Sequence, residues 1–463
     1  MYFHSFRNKD PTGPVGKKFP KRKENRGLWN RGKNETRLPG RQLKKQKINM
    51  EVDKMKRRMV IRTFQSVVVL LGLSLILFPT YAKALRPIKV GIIDTYTGPA
   101  AVFARDGLNG FKLALDKINE KGVLGTKIEL TTRDDKFKVD IGLAMAKEMV
   151  MREKVDILVG VGSSGVAMAI SDYVKVEKVP FIVWFARSER ITGEKGHRYV
   201  FSTCENTAMV GKAAAIGLTK KPNNRFWIAG DDYEFGHAIG DGAWRNIKIL
   251  RPQAELMGKT WWKVGEPDLM PYITAIISAK PDAVIFGAGG ASITNVMKVI
   301  KATGMAEKAQ IWINGATEHA VIKPLGLEAP QGVMGTADYH FYFPNSQANK
   351  AFVKAYQDAY GNLPGFAAYK GYITAHFIAE AFKKAGDLNR EKFIDALEGL
   401  KIDGPAGEIE MRAYDHQVMV PIFLSLTKKV PEYDFLISTD FITLPGKDVM
   451  PTIEEIKKIR GGS

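Results

Sequence analysis

From Ile88 onward, short apolar runs alternate with amphipathic segments, and this alternation constrains the fold more than any other feature of the sequence. Ile88–Ile93 and Ile157–Val161 are typical of buried strands, whereas Ala101–Glu120 has the apolar spacing of a helix. Successive strand–helix–strand units are right-handed and form parallel sheets with helices on both faces. Because the rhythm begins again after residue 202, we predict an α/β protein with two sheets of like construction, from residues 88–202 and 203–337.

The last part of the chain has to attach to sheets that are already built. After Tyr339 the sequence predicts two long helices and a shorter one, and then strands typical of hairpins at Glu408–Met411 and Val420–Leu426. A chain that returns to its first lobe crosses between the lobes two or three times, and these crossings form a hinge. We therefore predict that lobe 1 comprises residues 85–202 and 338–419 and that lobe 2 comprises residues 203–337 and 420–463.

A glycine-rich turn follows the predicted strand Ile157–Val161. Glycines at positions 160, 162 and 165 break the strand just before a helix predicted over Val166–Lys175. Backbone N–H groups at such a helix N-terminus attract anions, and the hydroxyls of Ser163 and Ser164 lie beside them. The turn therefore predicts a binding site for a carboxylate or a phosphate.

The same turn satisfies the dinucleotide fingerprint G-x-G-x-x-G, but three observations count against a dinucleotide. The motif follows the third strand of its domain, whereas the fingerprint belongs after the first. The next strand ends without an acidic residue that would bind a ribose hydroxyl, since the nearest is Glu189. Residues 55–84 also have the features of an export signal, and exported proteins rarely encounter NAD. We therefore predict no cofactor.

Residue patterns that would indicate catalysis or a metal are missing from the sequence. It has no phosphate-loop lysine, no His-Glu-x-x-His motif, no Gly-x-Ser-x-Gly motif and a single cysteine, Cys204. The acidic pairs Asp134-Asp135 and Asp231-Asp232 directly follow strands, where capping and turn carboxylates are common. One cysteine cannot form an intrachain disulfide, and we expect Cys204 to be a buried thiol. The sequence therefore predicts neither an enzyme nor a metal site.

The net charge of +20 belongs mostly to the front of the chain, where residues 1–84 hold 21 Lys and Arg against 5 Asp and Glu. Residues 55–84 have the basic start, the apolar run and the Ala82-Lys83-Ala84 site of an export signal that is cleaved after Ala84. We predict that residues 1–54 are a disordered basic extension, which a start codon assigned too far upstream would explain. The mature protein is then periplasmic and binds no nucleic acid.

Aromatic residues recur at or just after the predicted strand ends. In open α/β sheets, ligands bind along this rim. These residues are Phe103, Trp184, Phe185, Tyr233, Phe235, Tyr339, Phe341 and Tyr342. Their clustering predicts a ligand site at the rim.

Several motifs, in their order and spacing, resemble those of a known family. They are the strand from Ile88 with Thr97-Gly-Pro99, Gly107 and Gly110 in the first helix, Asp134-Asp135, the turn at 160–165, Asp232-Tyr-Glu-Phe-Gly236, Pro281-Asp-Ala-Val and Ala302-Thr-Gly304. Over roughly residues 88–430, the chain resembles the periplasmic solute-binding receptors of ABC importers for branched-chain amino acids (leucine, isoleucine and valine), amide-binding relatives included.

The resemblance implies a type I periplasmic binding protein fold, in which two doubly wound lobes are joined by a three-crossover hinge and clamp a ligand between them. It implies aromatic contacts at Phe103 on lobe 1 and at Tyr233 and Phe235 on lobe 2. It also implies that the ligand carboxylate lies against two turns of lobe 1, formed by Ser163, Ser164, Gly165 and Val166 and by Ala186 and Ser188.

One departure from the family bears on the ligand. Its amino-acid binders carry a carboxylate on lobe 2 that holds the ligand ammonium, and the matching position here is Thr317, with Glu318 next to it. If Glu318 does not turn inward, the ligand is instead a carboxylate, an amide or an aromatic acid without an ammonium group. Arg187 is a further candidate partner for a carboxylate, although we expect its side chain to face solvent.

These observations predict an extracytoplasmic solute-binding receptor that captures an amino acid, or a related small carboxylate or amide, and delivers it to an inner-membrane ABC permease. Three other functions stay open. They are a ligand-sensing receptor of the same fold, an exported NAD-type enzyme, and a nucleic-acid binder that uses the basic front of the chain.

Overall fold

The structure is a computed structural model, and it describes residues 40–76 and 85–461. Residues up to 82 form one compact unit and residues from 83 onward another. In the first unit, helix α1 runs over Gly40–Ile76, so residues 40–54 are helical where the sequence predicted disorder. The physical reason is that no glycine or proline interrupts residues 41–71, which are rich in the strong helix formers Lys, Arg, Gln and Met.

Two further sequence predictions concern the front of the chain. Residues 1–39 of the predicted basic extension and the predicted cleavage site at Ala84 lie outside the described residues. Within the described helices, no stretch is long enough and apolar enough to cross a membrane.

The unit that begins at residue 83 alternates strands with helices, as predicted. Its strands are β1 Ile88–Asp94, β2 Ile128–Asp134, β3 Ile157–Gly160, β4 Phe181–Val183, β5 Val200–Ser202, β6 Arg225–Asp231, β7 Glu255–Trp262, β8 Ala283–Gly287, β9 Gln310–Asn314, β10 Met334–Ala337, β11 Lys401–Gly404, β12 Gly407–Met411, β13 Val418–Met419, β14 Ile422–Lys428 and β15 Ile437–Leu444. Its helices are α2 Ala101–Lys121, α3 Val139–Glu148, α4 Ser164–Glu177, α5 Thr207–Leu218, α6 Glu234–Leu250, α7 Met270–Ser278, α8 Ala291–Thr303, α9 Met305–Lys308, α10 His319–Ile322, α11 Gln347–Tyr360, α12 Phe366–Ala385, α13 Arg390–Leu397, α14 Gly446–Val449 and α15 Ile453–Ile459.

The sheet of lobe 1 is parallel throughout, in the order β2-β1-β3-β4-β5. The strand β3 is buried along its whole length, as expected of a strand covered by helices on both faces. Because parallel strands end at the same edge of a sheet, the turns that follow β1, β2, β3 and β4 lie on one rim.

The sheet of lobe 2 has the order β15-β14-β10-β9-β8-β6-β7. The strands from β10 to β7 are parallel, whereas β14 runs antiparallel to β10 and β15 antiparallel to β14. The predicted hairpin at 408–411 forms between β11 and β12. The segment predicted at 420–426 forms β14, which pairs antiparallel with β10 and with the next strand, β15, in the sheet of lobe 2.

The chain passes between the lobes three times, after β5, after β10 and before β14. Around Gln417, two of the three crossings, the one after β5 and the one before β14, are hydrogen-bonded to each other. The Gln417 side chain accepts from Thr192 Oγ1 at 2.9 Å and donates to the carbonyl of Cys204, while the N–H of Ser202 donates to the carbonyl of His416 at 2.9 Å. The architecture is that of two doubly wound lobes with a hinge of three crossovers, as the resemblance implied.

Candidate functional site

A cavity lies between the rims of the two sheets, and both lobes line it. The cavity volume is about 60 Å³, so the cleft is narrow. Lobe 1 and the start of α12 contribute Pro99, Ala100, Phe103, Phe137, Gly162, Phe185, Arg187 and Phe366. Lobe 2 contributes Asp231, Tyr233, Phe235, Val264, Ala288, Gly289, Gly290, Ile293, Asn314, Gly315, Glu318 and Val321.

Six aromatic rings line the cavity: Phe103, Phe137, Phe185, Tyr233, Phe235 and Phe366. The rings of Phe103 and Phe366 are 5.0 Å apart, and Phe137 approaches Tyr233 of the other lobe at 5.9 Å. Sequence reasoning missed Phe137 and Phe366. The position of Phe137, just after the second strand, was a usable signal, whereas Phe366 lies far along the chain at the start of a helix and has no local signature.

Not every aromatic residue predicted for the rim lines the cavity. Trp184 is fully buried and donates through its indole N–H to Asp94 at 2.5 Å. Tyr339 is also fully buried and stacks on Tyr369 at 4.7 Å. The hydroxyl of Tyr342 accepts a hydrogen bond from the N–H of Ser438. Of these three rings, Trp184 stacks at 4.7 Å on Phe185, which does line the cavity.

Arg187 lines the cavity and does not face solvent, which corrects the expectation from the sequence. Its side chain is 13% exposed, its guanidinium lies 4.7 Å from the ring of Phe366, and its Nε is 2.8 Å from Glu205 Oε1. The partner explains the burial, because Glu205 compensates the charge that leaves water. Among the described residues, Arg187 Nε forms an ion pair with Glu205 but no hydrogen bond, and no hydrogen bond involves either terminal nitrogen of Arg187.

Glu205 belongs to a buried charged cluster that extends behind the cavity. Its other carboxylate oxygen is 3.1 Å from Lys370 Nζ, and Lys370 also pairs with Asp338. Burial raises the pKa of Glu205, but the charges of Arg187 and Lys370 outweigh it and hold the pKa below its usual value. Burial lowers the pKa of Lys370, an effect that Glu205 opposes.

Glu318 turns inward and lines the cavity from lobe 2. It is only 2% exposed, and burial raises the pKa of its carboxyl well above the usual value, although nearby Arg187 acts in the opposite direction. Its neighbour Thr317 is buried outside the cavity, and the hydroxyl of Thr317 has no hydrogen-bond partner within the described residues. Of these two candidates, Glu318 alone is positioned to meet a ligand.

Several polar groups of the predicted carboxylate-binding turns are hydrogen-bonded to other groups of the protein. Helix α4 begins at Ser164, and Ser163 caps it by accepting from the N–H of Val166 at 3.5 Å. The hydroxyl of Ser164 accepts from the N–H of Ser188 at 3.3 Å, and the N–H of Ala186 donates to the carbonyl of Val161. Of the residues predicted as ligand contacts, those that line the cavity are Phe103, Tyr233, Phe235 and Glu318, and those that do not are Ser163, Ser164, Gly165, Val166, Ala186, Ser188 and Thr317.

The lobes are in contact on both sides of the cavity. On one side, Glu234 at the start of α6 accepts from Ser188 Oγ at 2.8 Å and from Arg190 at 3.1 Å. We call Ser188, Arg190 and Glu234 the interlobe clasp. On the other side, the N–H of Ala291 donates to the carbonyl of Pro99 at 3.2 Å. The structure is therefore a closed form of the cleft.

The acidic pairs noted in the sequence are engaged in turns. Asp134 accepts from the hydroxyl of Thr97 at 2.7 Å, and Asp231 accepts from Ser292 Oγ at 2.7 Å and from the indole of Trp262. Across residues 40–76 and 85–461, no group of His, Cys, Asp and Glu side chains is arranged to hold a metal ion. Cys204 is buried, as predicted.

Comparison with known proteins identifies the family. Residues 87–428 match the profile of a family described as periplasmic binding protein. The Leu/Ile/Val-binding protein homolog 4 of Brucella melitensis is 26% identical over 394 residues, which cover 80% of this chain and 92% of that protein. The leucine-, isoleucine-, valine-, threonine- and alanine-binding protein of Pseudomonas aeruginosa is 22% identical over 334 residues, which cover 72% of this chain and 87% of that protein.

A solved structure agrees with these relatives. The solute-binding protein of an ABC transporter from Rhodopseudomonas palustris BisB5, in complex with 3,4-dihydroxybenzoic acid, has a TM-score of 0.70 and 26% identity, and the match covers 78% of this chain and 98% of that chain. The resemblance inferred from the sequence is thereby confirmed. This chain belongs to the periplasmic binding protein family, among the solute-binding proteins of branched-chain amino-acid-type ABC transporters.

Proposed function

We propose that this protein binds a small carboxylate with an apolar, aromatic body and delivers it to an ABC permease. The observation that carries the proposal is Arg187, a buried arginine at an aromatic-walled cavity whose terminal nitrogens have no hydrogen-bond partner among the described residues. The planar guanidinium fork matches a carboxylate with two parallel hydrogen bonds. The aromatic walls, including Phe103, Tyr233 and Phe235, offer the ligand body apolar contact.

The relatives support two ligand classes. The R. palustris relative was solved with 3,4-dihydroxybenzoic acid, an aromatic carboxylate that suits a cavity with six aromatic rings. The Brucella relative is named for leucine, isoleucine and valine. A branched-chain amino acid is therefore the second candidate, and Glu318 favours it because an ionised carboxyl there would pair with a ligand ammonium.

Binding would use closure of the two lobes. Because both lobes line the cavity, a ligand contacts all of its partners only in the closed form and shifts the population toward it. We further propose that residues 55–84 are removed as an export signal after Ala84, and that no reaction is catalysed. In this proposal the lobes comprise residues 85–202 with 338–419 and residues 203–337 with 420–463.

The first experiment tests the ligand class. Isothermal titration calorimetry of the mature protein with benzoate, 3,4-dihydroxybenzoate, benzamide and L-leucine is expected to show binding of the two aromatic carboxylates and not of benzamide, which lacks the charge. Equal affinity for benzamide and benzoate would contradict the role of Arg187, and binding of L-leucine without benzoate would favour the second candidate. Uptake of the labelled ligand by cells with and without the gene separates delivery from sensing.

A conservative variant tests the residue. Arg187→Lys keeps the positive charge beside Glu205 but loses the planar fork, so we expect benzoate to bind roughly 10- to 100-fold more weakly, which corresponds to a charged hydrogen bond of about 1.5–3 kcal/mol. The matched control is Arg225→Lys, at the start of β6, where the arginine pairs with Asp282 at 2.9 Å and does not line the cavity. Unchanged binding by Arg187→Lys would exclude this arginine as the carboxylate partner.

A further inference from the structure

The cavity borders a cluster in which carboxylates outnumber cations. Three carboxyl groups, those of Glu205, Asp338 and Glu318, are buried together with two cations, Arg187 and Lys370. The side chains of Lys370, Glu205 and Asp338 are each at most 1% exposed, so water does little to screen these charges. An ionised carboxyl in such surroundings is stable only when a cation is paired with it.

The two cations are already paired with the first two carboxylates. Arg187 lies 2.8 Å from Glu205, and Lys370 pairs with Glu205 at 3.1 Å and with Asp338. Among the described residues, no lysine, arginine or histidine forms a salt bridge with Glu318. It is therefore the carboxyl without a cation of its own.

The other groups that face Glu318 do not supply a positive charge. The backbone N–H of Phe366 approaches its carboxyl, and Tyr339 and Tyr342 lie near enough to be affected by its charge. The next residue, His319, is neutral at physiological pH, since burial lowers its pKa to about 4. A ligand carboxylate seated on Arg187 would add a further negative charge beside Glu318, and two neighbouring carboxylates cannot both stay ionised at low cost.

We propose that Glu318 acts in the closed protein as a neutral carboxylic acid whose O–H donates a hydrogen bond to the ligand carboxylate, so that closure around the ligand takes up one proton. This inference rests on the proposed function. In the open cleft, water hydrates Glu318 and the group is ionised at neutral pH. On closure it takes a proton from the buffer, while the ligand carboxylate stays ionised against Arg187.

The protonated form would make Glu318 a specificity determinant. A neutral acid that donates its O–H offers no compensating charge to an ammonium group, and Arg187 in the same cavity repels one. Ligands that carry only a carboxylate would then be accepted and zwitterionic amino acids rejected. Burial raises the pKa of Glu318 well above its usual value, which agrees with this assignment.

Proton uptake is measured by calorimetry of benzoate binding in phosphate and in Tris at the same pH. We expect the binding enthalpies to differ in the sense of uptake of up to one proton, and the affinity to fall by as much as tenfold per pH unit between pH 6 and pH 8. Glu318→Gln mimics the neutral acid. We expect it to bind benzoate with an enthalpy that does not depend on the buffer and an affinity that does not depend on pH. The control Glu328→Gln alters an exposed glutamate of the same lobe and is expected to behave like the wild type.

Two results would overturn the proposal. One is benzoate binding by the wild type with no difference between the buffers. The other is L-leucine binding that Glu318→Gln abolishes, because an ionised Glu318 would then be holding an ammonium group.

If neither benzoate nor 3,4-dihydroxybenzoate binds, the proposed ligand class fails, and the protonation of Glu318 is then decided with the ligand that does bind. Uptake of a proton on binding of that ligand, lost in Glu318→Gln, supports the proposal. Binding of that ligand with the same enthalpy in both buffers overturns it.

Discussion

Lys370 shows how much a single buried charge can stabilise in this protein. Its side chain is fully buried on α12 and lies between Glu205 and Asp338. Removing one partner of a buried ion pair leaves the other charge uncompensated, and the loss is about 3–5 kcal/mol. We expect Lys370→Met to lower the free energy of unfolding by about that amount, as measured by urea denaturation.

The pH dependence of that variant gives a second check. Without the lysine, Glu205 and Asp338 would have raised pKa values in the folded state, so the loss of stability should be larger at pH 8 than at pH 5. The control is Lys383→Met on the same helix, an exposed lysine paired with Glu380, for which we expect a change within about 0.5 kcal/mol. Equal losses in the two variants would show that the buried charges do not stabilise the fold.

Single residues were also the hardest feature to predict from the sequence. Phe103, Tyr233 and Phe235 follow strand ends and could be assigned to the rim, and all three line the cavity. Lys370 and Phe366 reach the site only because α12 returns to lobe 1 late in the chain, and no local pattern marks them. The sequence predicted that Arg187 faces solvent. In the fold, its ion pair with Glu205 holds Arg187 at the cavity instead.

At the scale of elements, α2 and α12 show why two helices can lie so close together. A β-carbon on Gly371 of α12 would overlap the carbonyl oxygen of Gly107 on α2, and one on Gly110 would overlap the carbonyl of Ala368. The glycines therefore let the two backbones approach directly. This contact also fixes the position of Phe366 at the start of α12, against Phe103.

Gly371→Ala tests this packing. The added methyl group forces the helices apart, and we expect a loss of about 1–3 kcal/mol in the free energy of unfolding, measured by urea denaturation. Gly165→Ala in α4 is the control, because its β-carbon would meet Val139 at 3.5 Å and Ser163 Oγ at 3.9 Å, which are ordinary contact distances. The control should lose no stability, and an equal loss in both variants would exclude close helix packing as the cause.

The spacing of apolar residues in the sequence predicted most of the helices and strands but not the shortest strands. The helix predicted over Ala101–Glu120 is found over Ala101–Lys121, because its apolar period is regular over several turns. The strands β5 and β10 are three and four residues long, and neither was predicted. Runs this short carry no period of their own, and only pairing within a sheet defines them.

At the scale of the whole molecule, function depends on how the lobes close. The interlobe clasp lies beside the cavity, and its glutamate is flanked in sequence by Tyr233 and Phe235, which line the cavity wall. The N-terminus of α6 thus places aromatic side chains in the cavity wall and a carboxylate against lobe 1. One segment therefore contributes both to the cavity and to the contact between the lobes, which the two-lobed fold predicted from the sequence could not show.

Removing the clasp should weaken binding by shifting the lobes toward the open form. Arg190 is 39% exposed, so solvent screens its pair with Glu234, and we expect Glu234→Ala to reduce the free energy of closure by about 1 kcal/mol. Because the closed form binds the ligand better, affinity would fall about fivefold. The loss should appear in the dissociation rate, measured by stopped flow, since the clasp forms only after the ligand has entered.

The chain supplies a matched control for the clasp. Arg190 also pairs with Glu194, at 2.9 Å, and both residues belong to lobe 1, so this pair does not cross the cleft. Glu194→Ala removes an ion pair from the same arginine but should leave the dissociation rate unchanged. If Glu194→Ala speeds dissociation as much as Glu234→Ala does, the effect comes from the loss of a charge near the cleft. If only Glu234→Ala does so, the contact between the lobes is what holds the ligand in.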